Sequence, residues 1–142
     1  MKLRFAALAA VSGVWLVAAG PLQAKTVHFS TVLNGASQVL PNTTAGTGAV
    51  KADLDTVTKV FTYTVTYSGL TGPAVAAHFH GPAAADANAP PVITMKDLVS
   101  PIKGTAVLTA PQMSDLLAGK WYFNVHTKAN PPGEIRGQLD AQ

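Results

Sequence analysis

The sequence predicts an all-β fold: a sandwich or barrel of about eight short antiparallel strands with one short helix. Three observations lead there. Stretches of six to nine residues alternate apolar and polar side chains and are rich in Val, Thr, Phe and Tyr. Clusters of Gly, Pro, Asn, Asp and Ser separate them at short intervals. Only one segment carries helix start and stop signals.

Taken in order, residues 26–33 (TVHFSTVL) set Val27, Phe29, Thr31 and Leu33 on one face. Residues 34–47 form a turn-rich connection. Residues 48–54 alternate Val50, Ala52 and Leu54 against Lys51 and Asp53, and 55–58 turn the chain. Residues 59–67 (KVFTYTVTY) make the clearest strand, with Phe61, Tyr63, Val65 and Tyr67 as its core face. After a turn at 69–73, residues 74–80 (AVAAHFH) form a strand that Gly81-Pro82 stops. Residues 82–91 are a Pro- and Ala-rich loop. Residues 92–98 and 103–108 read as strands divided by Ser100-Pro101. The helix signal follows: Thr109 as N-cap with Gln112 three residues on, Pro111 near the start, an apolar stripe of Met113, Leu116 and Leu117, and Gly119 at the end. Residues 121–127 (WYFNVHT) and 134–139 are the last strands, with a turn at Asn130-Pro131-Pro132-Gly133 between them.

Residues 1–24 (MKLRFAALAAVSGVWLVAAGPLQA) read as a secretory signal peptide. Lys2 and Arg4 are the basic start, 5–19 carry no charge, Gly20-Pro21 break the run, and Ala24 ends a small-residue cleavage site. The apolar stretch is short of the ~20 residues that cross a bilayer. The expected mature chain is one domain, 25–142, in the bacterial periplasm or secreted. The chain has no cysteine, so it has neither a disulfide framework nor a site for a lipoprotein anchor. No membrane attachment is expected after cleavage. Loss of Lys2 and Arg4 lowers the net charge from +3 to +1, which removes the electrostatic case for nucleic acid.

All four histidines lie off the expected core faces. His78 and His80 share one side of their strand, opposite Ala77 and Phe79. Their Cα atoms should be about 6.5 Å apart, close enough for two imidazoles to converge on one cation. Tyr122, Asn124 and His126 share the corresponding side of residues 121–127. If the two strands are neighbours, His126 completes a three-histidine metal site. Neutral imidazole suits transition metals, and outside the cytoplasm copper is favoured, with zinc as the other choice. The competing reading is a set of histidines on a solvated sheet face with no metal. His28 is a poorer ligand candidate than the other three.

Other chemistry is sparse. The serines lack a nucleophile-elbow context, and no glycine loop suits phosphate. Glu134, the single glutamate, should share a face with Arg136 and Gln138; it can pair with Arg136, brace a loop or act as a base beside a metal. Asn42-Thr43-Thr44 is a glycosylation sequon that matters only in a eukaryotic secretory route.

Three segments together carry a family resemblance: YTVTYSGLTGPAVAAHFHGPA (63–83), LTAPQMSDLLAGKWYFNVHT (108–127) and NPPGEIRGQL (130–139). The chain resembles the CHRD domain, the module named after chordin, in a bacterial single-domain form, over about residues 27–140. The resemblance implies an extracellular or periplasmic β-sandwich, immunoglobulin-like or superoxide-dismutase-like. It also implies an association with protein-binding modules. The H-x-H on a sandwich strand is similar to the copper ligands of copper/zinc superoxide dismutase, but the chain lacks that enzyme's cysteines and has too few histidines for two metals. The expected function is therefore non-enzymatic binding of one metal ion by His78, His80 and His126. The alternatives are a metal-free module that binds another extracellular protein or matrix component, and an enzyme whose three-histidine metal keeps an open position.

Overall fold

A computed structural model of the chain describes residues 25–142. The signal-peptide reading of 1–24 lies outside the described residues.

Among the described residues, nine strands and one helix follow in the order β1 (Thr26–Asn34), β2 (Thr47–Asp55), β3 (Val60–Ser68), β4 (Ala74–His80), β5 (Pro91–Thr94), β6 (Ile102–Val107), α1 (Ala110–Leu117), β7 (Tyr122–Thr127), β8 (Ile135–Gln138) and β9 (Asp140–Ala141). Every strand pairing is antiparallel. The spatial order is β5-β4-β7-β8-β1-β2-β3-β6, with β9 also on β1. The all-β class, the antiparallel pairing and the single short helix are as read from the sequence. The layering differs from two separate sheets. One sheet curls into a half-barrel, and its two four-stranded halves meet at β8 and β1 through the pair Asn34–Arg136.

The curl follows from where the apolar faces lie. Phe61, Tyr63 and Val65 of β3 point inward, as do Ala77 and Phe79 of β4 and Trp121, Phe123 and Val125 around β7. The β3 and β4 halves are far apart along the hydrogen-bonded order, yet the Phe61 and Phe79 rings stand edge to face at 5.3 Å. Tyr63 and Phe79 do the same at 5.0 Å. Such pairs add attraction beyond the area they bury. The core is therefore aromatic, and it closes the two halves over one another.

The helix begins as its sequence specifies. Thr109 Oγ1 accepts from the Gln112 amide at 3.3 Å, and Gln112 Oε1 accepts from the Thr109 amide at 2.8 Å. Gly119, at φ +68, ends it in the left-handed region. Two strand readings are corrected. β5 stops at Thr94 rather than 98, because Asp97 Oδ1 accepts from the Val99 amide at 2.9 Å and turns the chain. β9 was not foreseen: two residues have no periodicity, and only their pairing with Phe29 and Ser30 makes them a strand.

The face of β4, β7 and β8 that turns away from the core is partly covered, with His78 and His126 left half-buried. The 81–90 loop folds across it. Ala83 N donates to Lys120 O at 2.9 Å, Arg136 Nη1 to Asn88 Oδ1 at 2.9 Å, and Arg136 Nη2 to Ala87 O at 2.8 Å. Gln138 Nε2 donates to Ala83 O at 2.9 Å. Under this roof Tyr122, Asn124 and Arg136 are buried.

Candidate metal centre

The register of β4 against β7 sets the site. Ala76 faces His126, His78 faces Asn124 and His80 faces Tyr122. Neighbouring strands thus bring His126 beside the H-x-H pair, as the shared alternation requires. One ligand nitrogen from each of His78, His80 and His126 lies within 4.8 Å of the others. His78 Nδ1 and His126 Nε2 are 3.3 Å apart. A tetrahedral ion with bonds of roughly 2.0–2.1 Å separates its ligands by about that distance. A pair at the 4.8 Å limit has to close by about 1.5 Å.

His28 is elsewhere. On β1 it faces Asp53 of β2, and its Nδ1 lies 2.6 Å from the Asp53 carboxylate on the exposed surface.

Two of the three imidazoles are oriented from behind. His80 Nδ1 is 2.8 Å from Ala89 O, and His126 Nδ1 is 2.8 Å from Pro131 O. A carbonyl only accepts, so each Nδ1 carries the proton and each Nε2 presents a lone pair. An Nδ1–H held by a backbone carbonyl is the usual support for a metal-binding histidine. The donor set therefore fits an ion: three imidazole nitrogens face one another, and for His80 and His126 the outer nitrogen is already bonded.

His80 has a second support. Its ring stacks on Tyr122 with centroids 4.7 Å apart and planes 1° from parallel. The Arg136 guanidinium covers the other face of Tyr122, 3.5 Å from the ring centroid. Burial pushes the His80 pKa below the usual 6.5, against the Ala89 carbonyl and the Asn124 side-chain oxygen, both of which favour a protonated ring. Burial also lowers His78, helped by the neighbouring charges of protonated His126 and His80. Both rings are thus held in the neutral form that coordinates metal.

Glu134 does not pair with Arg136. It is fully buried, and its carboxylate accepts five hydrogen bonds. Oε1 takes Thr44 Oγ1 at 2.6 Å and the Thr71 amide at 2.8 Å. Oε2 takes Thr71 Oγ1 at 2.7 Å, Thr127 Oγ1 at 2.5 Å and Asn130 Nδ2 at 3.1 Å. Burial alone would raise this carboxyl. The threonine hydroxyls and the Thr71 amide outweigh it and hold the pKa at about 2. Of the roles open to Glu134, the loop brace is the one its contacts describe.

Sequence reasoning did not single out Asn124 or the Tyr122–Arg136 stack. One signal was available for Asn124. Asparagine is depleted in strands, yet this one sits mid-strand, two residues from His126 and on its face.

The CHRD-domain family model matches residues 29–139. The chain belongs to the CHRD family. The match spans β1 to Leu139, so the histidine cluster, its roof and the Glu134 brace all lie within the CHRD domain. No curated protein and no solved structure matches the chain.

Proposed function

We propose that this CHRD domain is an exported, non-enzymatic protein that binds one transition-metal ion through His78, His80 and His126. Copper is the favoured ion and zinc the second. The observation that carries the reading is the pair of backbone carbonyls behind the site. Ala89 O and Pro131 O fix His80 and His126 as Nε2 ligands that aim at the same point as His78. The absence of any thiol, and a set of imidazoles, suit Cu(II) and Zn(II). No helix among the described residues is long and apolar enough to cross a membrane. Export rests on the sequence of residues 1–24.

The test is calorimetric titration of the purified protein with Cu(II) and Zn(II), alongside a His78→Ala/His80→Ala variant. Binding by the wild type with loss in the variant is expected. At an ion concentration 100 times Kd, binding stabilises the fold by about 2.7 kcal/mol, visible as a rise in Tm that chelator reverses. Equal heats for wild type and variant would overturn the reading.

A metal-free protein- or matrix-binding module is favoured by one observation. Leu40, at φ 68 and 84% exposed, borders a cavity of about 480 Å³ that Val39, Pro41 and Ala85 also line. Capture of a partner that is unchanged by chelator and lost in Leu40→Ser would favour that reading over the metal.

A further inference from the structure

We infer that Asn124 supplies a fourth donor atom, the side-chain oxygen Oδ1, so that the ion is held in a closed set of three imidazoles and one amide. This rests on the three-histidine reading and deepens it.

Oδ1 lies 3.0 Å from His80 Nε2 and 3.0 Å from His126 Nε2. Both nitrogens already present lone pairs, because their Nδ1 protons are committed to Ala89 O and Pro131 O. An amide oxygen has only lone pairs as well. Three acceptors thus converge at hydrogen-bond distance with no hydrogen among them. Such an arrangement is repulsive in a buried site unless a positive charge sits between the atoms. Distances near 3 Å are also those between adjacent ligands around an ion with bonds of roughly 2.0–2.2 Å. His78 Nδ1, 3.3 Å from His126 Nε2, completes the ring of four.

The strand register makes this geometry hard to avoid. Asn124 faces His78 across the β4–β7 ladder and sits two residues before His126 on the same side of β7. On its other flank Asn124 faces Arg136, which is bonded to the roof loop, so the amide is confined among the histidines. Asn124 is 4% exposed.

A hard, neutral oxygen beside three imidazoles has two consequences. It favours the divalent ion over Cu(I), whose preferred partners are soft sulfur ligands. It also fills the position that a catalytic site leaves for water or substrate, which suits retention of the ion rather than turnover.

One arrangement competes. Rotating the amide by 180° makes Nδ2 the donor to both imidazoles. It moves Oδ1 toward Gly133, where Gln38 Nε2 is buried without a partner. In that case Asn124 occupies the nitrogens of the metal-free protein and competes with the ion. The two arrangements predict opposite signs.

The experiment is a Zn(II) competition titration against a chromophoric chelator, with wild type and Asn124→Ala. Azide is then added to the Co(II)-loaded proteins and followed by visible absorption. If Oδ1 is a ligand, Asn124→Ala binds Zn(II) roughly tenfold more weakly or worse. The wild-type Co(II) spectrum then ignores azide, while the variant's responds because its fourth position is open. If Asn124→Ala binds as tightly as wild type or tighter, or if azide perturbs wild type, the fourth-ligand assignment falls and the histidine site stands. If Asn124→Ala does not fold, the azide response of wild type alone decides. A wild type that takes up no ion overturns the histidine reading itself, and this assignment with it.

Discussion

His78 Nδ1 lies 3.3 Å from His126 Nε2, across adjacent strands and 48 positions apart in the chain. Two imidazoles this close repel if both are protonated, so the site resists taking up the second proton. The same closeness makes the pair a candidate for holding a metal ion and a pH-sensitive element.

The first prediction concerns that sensitivity in the metal-free protein. Burial, and then the neighbouring imidazoles, put the folded pKa of His78 below 6.5, and burial does the same for His80. The unfolded chain therefore binds protons first as pH falls. Stability rises with pH wherever the unfolded state holds more protons, so it declines as pH drops below about 6.5 toward the folded pKa values. Urea midpoints in chelator should be lower at pH 5 than at pH 7.5, and a His78→Asn/His80→Asn variant should lose most of the difference. Midpoints that do not move with pH in the wild type would count against neutral, buried rings.

A second prediction separates the Glu134 brace from the histidines by its pH window. The carboxyl falls from its usual 4.5 to about 2 in the fold. A depressed carboxylate stabilises the protein above its unfolded pKa, and that contribution disappears as pH falls from 4.5 through about 2, worth roughly 3 kcal/mol in all. Glu134→Ala strips the acceptor from Thr44, Thr71, Thr127 and Asn130 together. It should cost roughly 3 kcal/mol or more at pH 7 and much less at pH 2, since buried donors are left unpaired in place of a strong acceptor. Equal destabilisation at both pH values would show that packing, not the charge, is what Glu134 provides.

Much of this architecture was legible in the sequence, for a physical reason. Strand alternation fixes which residues share a face, and parity alone assigned Phe61, Tyr63 and Val65 to the core and His78, His80 and His126 to the opposite side. Parity does not say what lies over that side. The burial of His80, Tyr122 and Asn124 was not legible because the roof depends on Arg136 reaching Ala87 and Asn88, 49 and 48 positions away. Contacts of that range leave no periodic trace. The half-barrel was hidden for a similar reason, since β8 meets β1 through the single pair Asn34–Arg136, with two further pairs from β9.

The third prediction tests the roof. Arg136 is 1% exposed, bonds the loop at Asn88 and Ala87, and lies over Tyr122, against which His80 stacks. Arg136→Met keeps the stem but orphans the loop acceptors, at a cost of roughly 2–4 kcal/mol. Arg136→Lys should recover little, because an ammonium cannot bond two directions in one plane while covering a ring. Hydrogen exchange should speed up at Ala83, Ala87 and Ala89 in both variants. Metal affinity should fall with it, because Ala89 O orients His80. Unchanged exchange in the 81–90 loop would mean that something other than Arg136 holds the roof down.

The last prediction concerns the join between the two halves. Gly137 of β8 passes so close to β1 that an added Cβ would lie 2.4 Å from Val32 O and 2.6 Å from Thr31 Oγ1. The nearer atom is backbone, which cannot rotate away, so the strands must part. Gly137→Ala should therefore cost at least roughly 1–3 kcal/mol, the range for forcing one methyl into a packed site. Because β8 also pairs with β7 through Phe123–Gly137 and Asn124–Arg136, the strain is delivered next to the histidine strand. Gly72 is the control: nothing lies within 4 Å of its added Cβ. Gly72→Ala should be neutral or slightly stabilising, because it only narrows the unfolded ensemble. The contrast is read from urea midpoints of the two variants, with Zn(II) affinity measured in parallel. The expected pattern is a lower midpoint and weaker binding for Gly137→Ala alone. Equal midpoints for the two variants would mean that the close approach at Val32 does not hold the sheet's halves together.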